Sequence, residues 1–164
     1  MKQSIVSWYV ARVKYRTEKK IKKFLEQKGI EHYIPLQEDK PLIPCVVFIR
    51  TEQQQALSLP VESDYTISYI YETDTKKFQV ISDKQMQDFM FLQDFSDKTF
   101  ILPDPENLKG GERVRVIAGE FAGIEGELYR IRGHKRVVVR LGNFGAVALE
   151  EYVAKENLEK YELK

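Results

Sequence analysis

A single cysteine, Cys45, in 164 residues makes an internal disulfide impossible. Two histidines, His32 and His134, stand too far apart in the chain to suggest a zinc site. No apolar stretch approaches the roughly 20 residues that a membrane span requires, and the opening MKQSIVSWYVARVKYR lacks the apolar core of a signal peptide. These absences predict a reducing, cytosolic setting without a membrane partner. Neither a paired nucleophile and base nor a metal cluster can be assembled from the motifs present. The sequence therefore predicts no catalytic residue, no metal and no cofactor.

Glycine is also scarce, but only locally. The first hundred residues contain Gly29 alone, whereas the other eight glycines fall between Gly110 and Gly145. Charge is divided too. Residues 1–30 carry nine Lys or Arg against two acids, residues 31–109 carry seven against fourteen, and residues 110–164 carry ten against nine. A net charge of +1 thus conceals a basic N-terminal segment beside an acidic middle. Such a division suits a protein that touches nucleic acid while docked on something else.

What is present begins with KPLIPCVVFIR, Lys40 to Arg50, an apolar run bounded by prolines. Pro41 and Pro44 withhold backbone donors, so a strand is expected after the second of them, through Val46, Val47, Phe48 and Ile49. Ile5 to Val13 alternates as a strand, with Trp8, Val10 and Arg12 on one face. Thr17 is placed to cap a helix stopped by Gly29, with Ile21, Phe24 and Leu25 inward and Lys19, Lys20, Lys22 and Lys23 outward. Ile30 to Leu36 reads as an edge strand. TEQQQALSL permits a helical turn that Pro60 would end. Tyr65–Tyr71 and Phe78–Ile81 read as strands around a turn at Asp74 and Lys76. Ser82 with Gln85 marks a capping box, with Met86, Phe89 and Met90 as the apolar stripe of a helix reaching about Phe95.

That order predicts an α+β sandwich, an antiparallel sheet with helices on one face. Residues 96–109, with Pro103, Pro105 and three acids, read as a linker. From Gly110 onward short strands punctuated by glycine predict a small β-barrel: Val114 and Val116, Ile124–Ile131, Val137–Leu141 and Val147–Leu149. Three consecutive valines and the glycines at 119, 123, 126 and 133 oppose a helical alternative there.

Across nearly its whole length the chain resembles the NusG-like transcription elongation factors. W8YVARV, R16TEKKI, G29IEHYIPL, P41LIPCVVF and V80ISDKQM are similar to the family's NGN domain, and GERVRV followed by Gly119, Phe121, Gly123, Ile124 and Gly126 resembles its KOW motif. PLIPCVVF and SDKQMQDFM look most like the UpxY type, specialised antiterminators of polysaccharide operons. The resemblance implies an NGN-type α/β sandwich over residues 1–95, a linker over 96–109 and an SH3-like KOW barrel over 110–164. It further implies a non-enzymatic, monomeric factor whose N-terminal domain binds the clamp helices of RNA polymerase and suppresses pausing. Trp8, Val10, Ile43, Val46 and Phe48 would line an open clamp-binding depression. Lys14, Arg16, Lys19 and Lys20 would lie toward DNA near the polymerase cleft. Nascent RNA is a further implied partner, and the KOW domain would recruit a ribosomal protein or a termination factor.

Two positions depart from the family pattern. Cys45 stands where glycine or asparagine is usual and Val46 where an aromatic is usual, which predicts a depression that is either shallower or shaped for a different clamp tip. A second reading is a KOW-type RNA- or ribosome-binding protein. The near balance of ten basic and nine acidic residues in the C-terminal part counts against it.

Overall fold

The computed structural model describes residues 5–102 and 105–161. The chain divides into two compact units, residues 1–83 and 84–164.

In the first unit, the strand β1 (Val6–Val13) lies at the centre of an antiparallel sheet. The helix α1 (Glu18–Gln27) follows it, then β2 (Glu31–Tyr33), the two-residue strands β3 (Leu36–Gln37) and β4 (Lys40–Pro41), and β5 (Val46–Glu52). Next come α2 (Gln53–Glu62), β6 (Ile67–Tyr69) and β7 (Val80–Ile81). The order β2-β5-β1-β6, with β7 also on β1, makes β1 and β5 the middle pair. Their register sets Trp8 opposite Arg50, Val10 opposite Phe48 and Arg12 opposite Val46. Residues directly opposite share a face. The alternate residues Ala11, Val13, Val47 and Ile49 therefore face the other way, where they form one core with Ile21 and Leu25 of α1, Leu59 of α2 and Ile67 of β6.

Several local expectations are corrected. Thr17 does not cap α1 with its side chain; its hydroxyl donates back to the Lys14 carbonyl at 2.6 Å. Pro41 pairs with Leu36 in a short hairpin, so the first proline already enters a ladder, at an edge where its missing N–H costs nothing. Pro60 lies inside α2. The buried side chains Ala56 and Leu59 hold that helix past the proline, and Ser63 N–H closes it on the Leu59 carbonyl.

Glu18 has a role that first-turn acids on helices seldom have. It is buried, and its carboxylate accepts the Cys45 N–H at 3.1 Å. Cys45 itself adopts φ +64°, and its carbonyl accepts the Val13 N–H at 3.0 Å. This left-handed turn delivers the chain into β5. A side chain there crowds the carbonyl, which explains why glycine or asparagine suits the position. Cys45→Gly is accordingly expected to raise stability by about 0.5–1 kcal/mol, and Cys45→Ala to give no such gain, read as denaturation midpoints. Equal midpoints for Gly and Ala would show that the turn carries no strain.

The second unit begins with α3 (Asp83–Gln93), apart from its first residue, and continues with β8 (Thr99–Leu102), a 3₁₀ turn at Pro105–Asn107, and β9 (Glu112–Val116). It goes on with β10 (Glu125–Ile131), β11 (His134–Leu141), β12 (Gly145–Leu149), a 3₁₀ turn at Lys155–Asn157, and β13 (Leu158–Lys160). One antiparallel sheet runs β13-β9-β10-β11-β12-β8.

The stretch read as a linker is thus partly a strand: Thr99–Leu102 pairs with β12, from Thr99 against Leu149 to Leu102 against Ala146. Arg140 then holds the chain beyond it, donating to the carbonyls of Pro105 at 2.9 Å and Leu108 at 2.8 Å. Pro103, also read as part of the linker, lies outside the described residues. From Lys84 onward the helix α3 groups with the second compact unit. Its Asp88 carboxylate takes Lys84 Nζ at 2.8 Å and the Glu125 N–H at 3.1 Å, and Gln85 donates to the Arg140 carbonyl at 3.2 Å. Those polar ties have no signature in helix periodicity. Its buried stripe is Met86, Phe89 and Leu92, with Met90 only partly covered.

Candidate functional site

The sheet face opposite the α1 and α2 core is the first candidate. Along β1 and β5 it presents Trp8, Val10, Phe48 and Val46; β2 adds Tyr33 opposite Phe48, and β7 adds Ile81 opposite Trp8. Charged residues mark its two ends. At one, Arg50 is held between Asp83 at 3.3 Å and Glu31 at 3.2 Å. The hydrogen bond to Asp83, aided by Glu31, raises the guanidinium above its ordinary pKa. At the other, Arg12 is exposed opposite Val46 and Ser68.

The five residues expected to line a clamp-binding depression have little exposed surface. Trp8 is 4% exposed, Val10 0%, Ile43 2%, Val46 4% and Phe48 0%. Four of the five share the sheet face, and Ile43 joins them in burial from the loop ahead of β5. An apolar row this continuous is stabilised by leaving water, and period-two alternation says which face a residue takes without saying whether that face is covered.

The second candidate is basic. Lys14, Arg16, Lys19 and Lys20 are all exposed around the turn from β1 into α1. Arg16 has φ +68° and places its guanidinium 5.2 Å from the centre of the exposed Tyr15 ring, and Lys20 stands 5.7 Å from the Tyr65 ring. A cleft of about 640 Å³ is lined here by Tyr15, Arg16 and Lys19 on one side and Lys40, Pro41 and Pro44 on the other, with Asp39 and Glu18 also contributing. The sequence reading missed Tyr15 and Lys40. An aromatic set between Lys14 and Arg16 was a signal for Tyr15, whereas only the β3–β4 hairpin brings Lys40 there.

The motif Gly119, Phe121, Gly123, Ile124 and Gly126 builds the connection from β9 to β10. Gly119 and Gly123 have φ of +89° and +95°, and the Gly123 N–H donates to the Val116 carbonyl at 2.7 Å. Phe121 and Ile124 are buried, the former edge-on to Phe95 at 5.3 Å. Gly126 lies where a Cβ would meet the Val138 carbonyl oxygen at 2.5 Å. These five residues thus make the turn and its packing.

Among the described residues no group of three His, Cys, Asp or Glu side chains is placed to hold a metal ion, and no helix is long and apolar enough to cross a membrane. His32 is engaged through Nδ1 with the Ile30 carbonyl at 2.9 Å.

Comparison with known proteins finds the family described as "NusG: Transcription termination factor nusG" over residues 6–90. No curated protein sequence matches the chain. Among solved structures, Thermotoga maritima NusG, from work on its domain interaction, is similar at 19% identity and a TM-score of 0.48, over 96% of this chain and 98% of that one. A chain of the MjSpt4:Spt5 complex in conformation A is similar at 18% identity and a TM-score of 0.32, over 96% and 98%.

Proposed function

Because the chain belongs to the NusG family, matched over residues 6–90, we propose that this transcription factor acts during elongation as an antiterminator, docking on the clamp helices of RNA polymerase through its N-terminal domain. In this reading residues 1–95 are the NGN-type domain, α3 included although it groups with the second compact unit, and residues 110–164 the KOW domain. The observation that carries it is the cation set Lys14, Arg16, Lys19 and Lys20, exposed on the same unit as the apolar row Trp8, Val10, Val46 and Phe48. The cations add salt-dependent attraction to phosphates without reading sequence. The sequence likeness to the UpxY type supports action on particular operons, such as polysaccharide loci. The KOW domain would then recruit a ribosomal protein or a termination factor.

Capture of the protein on immobilised clamp helices, combined with a pausing assay on a purified elongation complex, tests the reading. Wild-type protein is expected to bind and to shorten pauses. Exchanging Lys14, Arg16, Lys19 and Lys20 for glutamate should leave clamp capture intact. The same exchange should flatten the salt dependence of binding to the complex, by about 0.9 in log K against log salt for each duplex phosphate that is no longer neutralised. An unchanged salt slope would remove these residues from the DNA interface, and failure of capture by the wild type would reject polymerase docking.

A further inference from the structure

The chain leaves β8 at one edge of the second unit's sheet and enters β9 on the far side of β12, β11 and β10. Residues 105–111 complete that crossing. The ladder register sets Tyr129, Val138, Ala146 and Ala148 on one face of the sheet, together with Arg140. Those four are buried as one cluster, and Leu108 packs on it from the crossing. The Tyr129 ring also lies against Gly111, where a Cβ would stand 2.4 Å from its Cζ.

The crossing has little of its own to hold it there. Pro105 is buried and Leu108 and Gly111 are half-buried, whereas Glu106, Asn107, Lys109 and Gly110 are exposed. It joins no ladder among the described residues, and its internal backbone bond runs from the Leu108 N–H to the Pro105 carbonyl at 2.9 Å. One guanidinium fastens it. Arg140 donates through Nη1 to the Leu108 carbonyl at 2.8 Å and through Nη2 to the Pro105 carbonyl at 2.9 Å. The same group also has acceptors on the sheet and its β11–β12 turn: the Tyr129 hydroxyl at 3.0 Å, Asn143 Oδ1 at 2.9 Å and the Gly142 carbonyl at 3.4 Å. The Tyr129 hydroxyl in turn donates to the Glu127 carboxylate. Detaching the crossing therefore takes two acceptors from Arg140 and leaves it three, so no buried charge is stranded. At the far end Gly110, at φ +73° with open space around it, supplies a hinge beside Gly111.

We propose that residues 105–111 are a strap, clasped shut over Tyr129 by Arg140, which lifts as one piece while the six-stranded sheet stays folded. A segment with few buried groups and no ladder opens at lower cost than the strands beneath it. One side chain holding two carbonyls makes the release all-or-none. Lifting uncovers the Tyr129 ring, the Arg140 guanidinium and the Glu127 carboxylate together, a face that the closed strap keeps hidden. The device rests on contacts within the second unit alone and does not depend on polymerase docking.

Trypsin acting on the folded full chain tests it, because cleavage after Lys109 requires the strap to leave its seat. The product that begins at Gly110 is identified by mass. Each rate is divided by that of a free peptide of residues 105–113 carrying the same substitution. Amide exchange at Val137–Val139 follows the sheet in the same samples. Wild-type protein is expected to be cleaved at Lys109 about 100-fold more slowly than the peptide. Arg140→Lys, which keeps the charge but cannot fork two carbonyls, should speed that cleavage about tenfold. Gly111→Ala, whose methyl group would push the strap off the Tyr129 ring without touching Arg140, should speed it by about as much. In both variants exchange at Val137–Val139 should stay as in the wild type. Cleavage of the wild type at the peptide's rate would show that the strap is never shut. Acceleration in both variants only in step with lost protection at Val137–Val139 would make residues 105–111 part of global unfolding. A rate unmoved by Arg140→Lys would remove the clasp. Each of these three results overturns the proposal.

Discussion

Phe48→Ala is expected to lower the unfolding free energy by about 3–5 kcal/mol. The ring is fully buried, paired across the sheet with Val10 in β1 and Tyr33 in β2. Truncation loses the transfer free energy of the ring and leaves a cavity that the paired strands on either side cannot collapse into. Urea denaturation with an unchanged m-value would read the loss as a shift of midpoint. A change under about 1 kcal/mol would mean that the ring is open to solvent. The result bears on function directly: with so large a cost, weakened polymerase binding in Phe48→Ala would report unfolding as readily as the removal of a docking anchor. Phe48→Leu, which keeps most of the volume, is the cleaner probe of docking, and wild-type capture by that variant would discount the ring as an anchor.

Gly126→Ala is expected to destabilise the second unit by about 1–3 kcal/mol or more. The added Cβ would sit 2.5 Å from the Val138 carbonyl oxygen and 3.2 Å from Val137 Cγ1. The obstacle is backbone of the neighbouring strand, so relief requires β10 and β11 to part where Glu127 pairs with Val138. Gly119→Ala and Gly123→Ala meet nothing within 4 Å, and their cost is the left-handed φ, about 1–2 kcal/mol each. The three variants compared by thermal denaturation should place Gly126→Ala lowest. A ranking with Gly126→Ala above both others would show that β10 yields easily, and that the close approach is not a constraint.

Strand and helix placement was largely legible because it rests on short-range patterns. The alternation in VSWYVARV is the observed β1, and the stripe Ile21, Leu25 with its lysine exterior is the observed α1. The valines and glycines after Gly110 form the strands expected of them. The division of Val47 and Ile49 from Val46 and Phe48 also follows from alternation, and the β1–β5 register bears it out. Thr99–Leu102 was hidden because two prolines and three acids nearby outweighed four β-forming residues, which become a strand only by pairing with β12. Tyr15 and Lys40 are distant in sequence and meet through a hairpin of two-residue strands, too short for any periodicity to announce.

By itself the sequence determined the local conformations, the two faces of the central strands and the uneven placement of charge, since each of these is set by neighbours within a few residues. Only the tertiary structure decided what those faces do. It buried the apolar row from Trp8 to Phe48, turned Cys45 left-handed under Glu18, joined α3 to the second unit, and fastened Pro105 and Leu108 to Arg140. Burial, strain and charge neutralisation depend on groups brought together from far along the chain, and no window of sequence contains both partners.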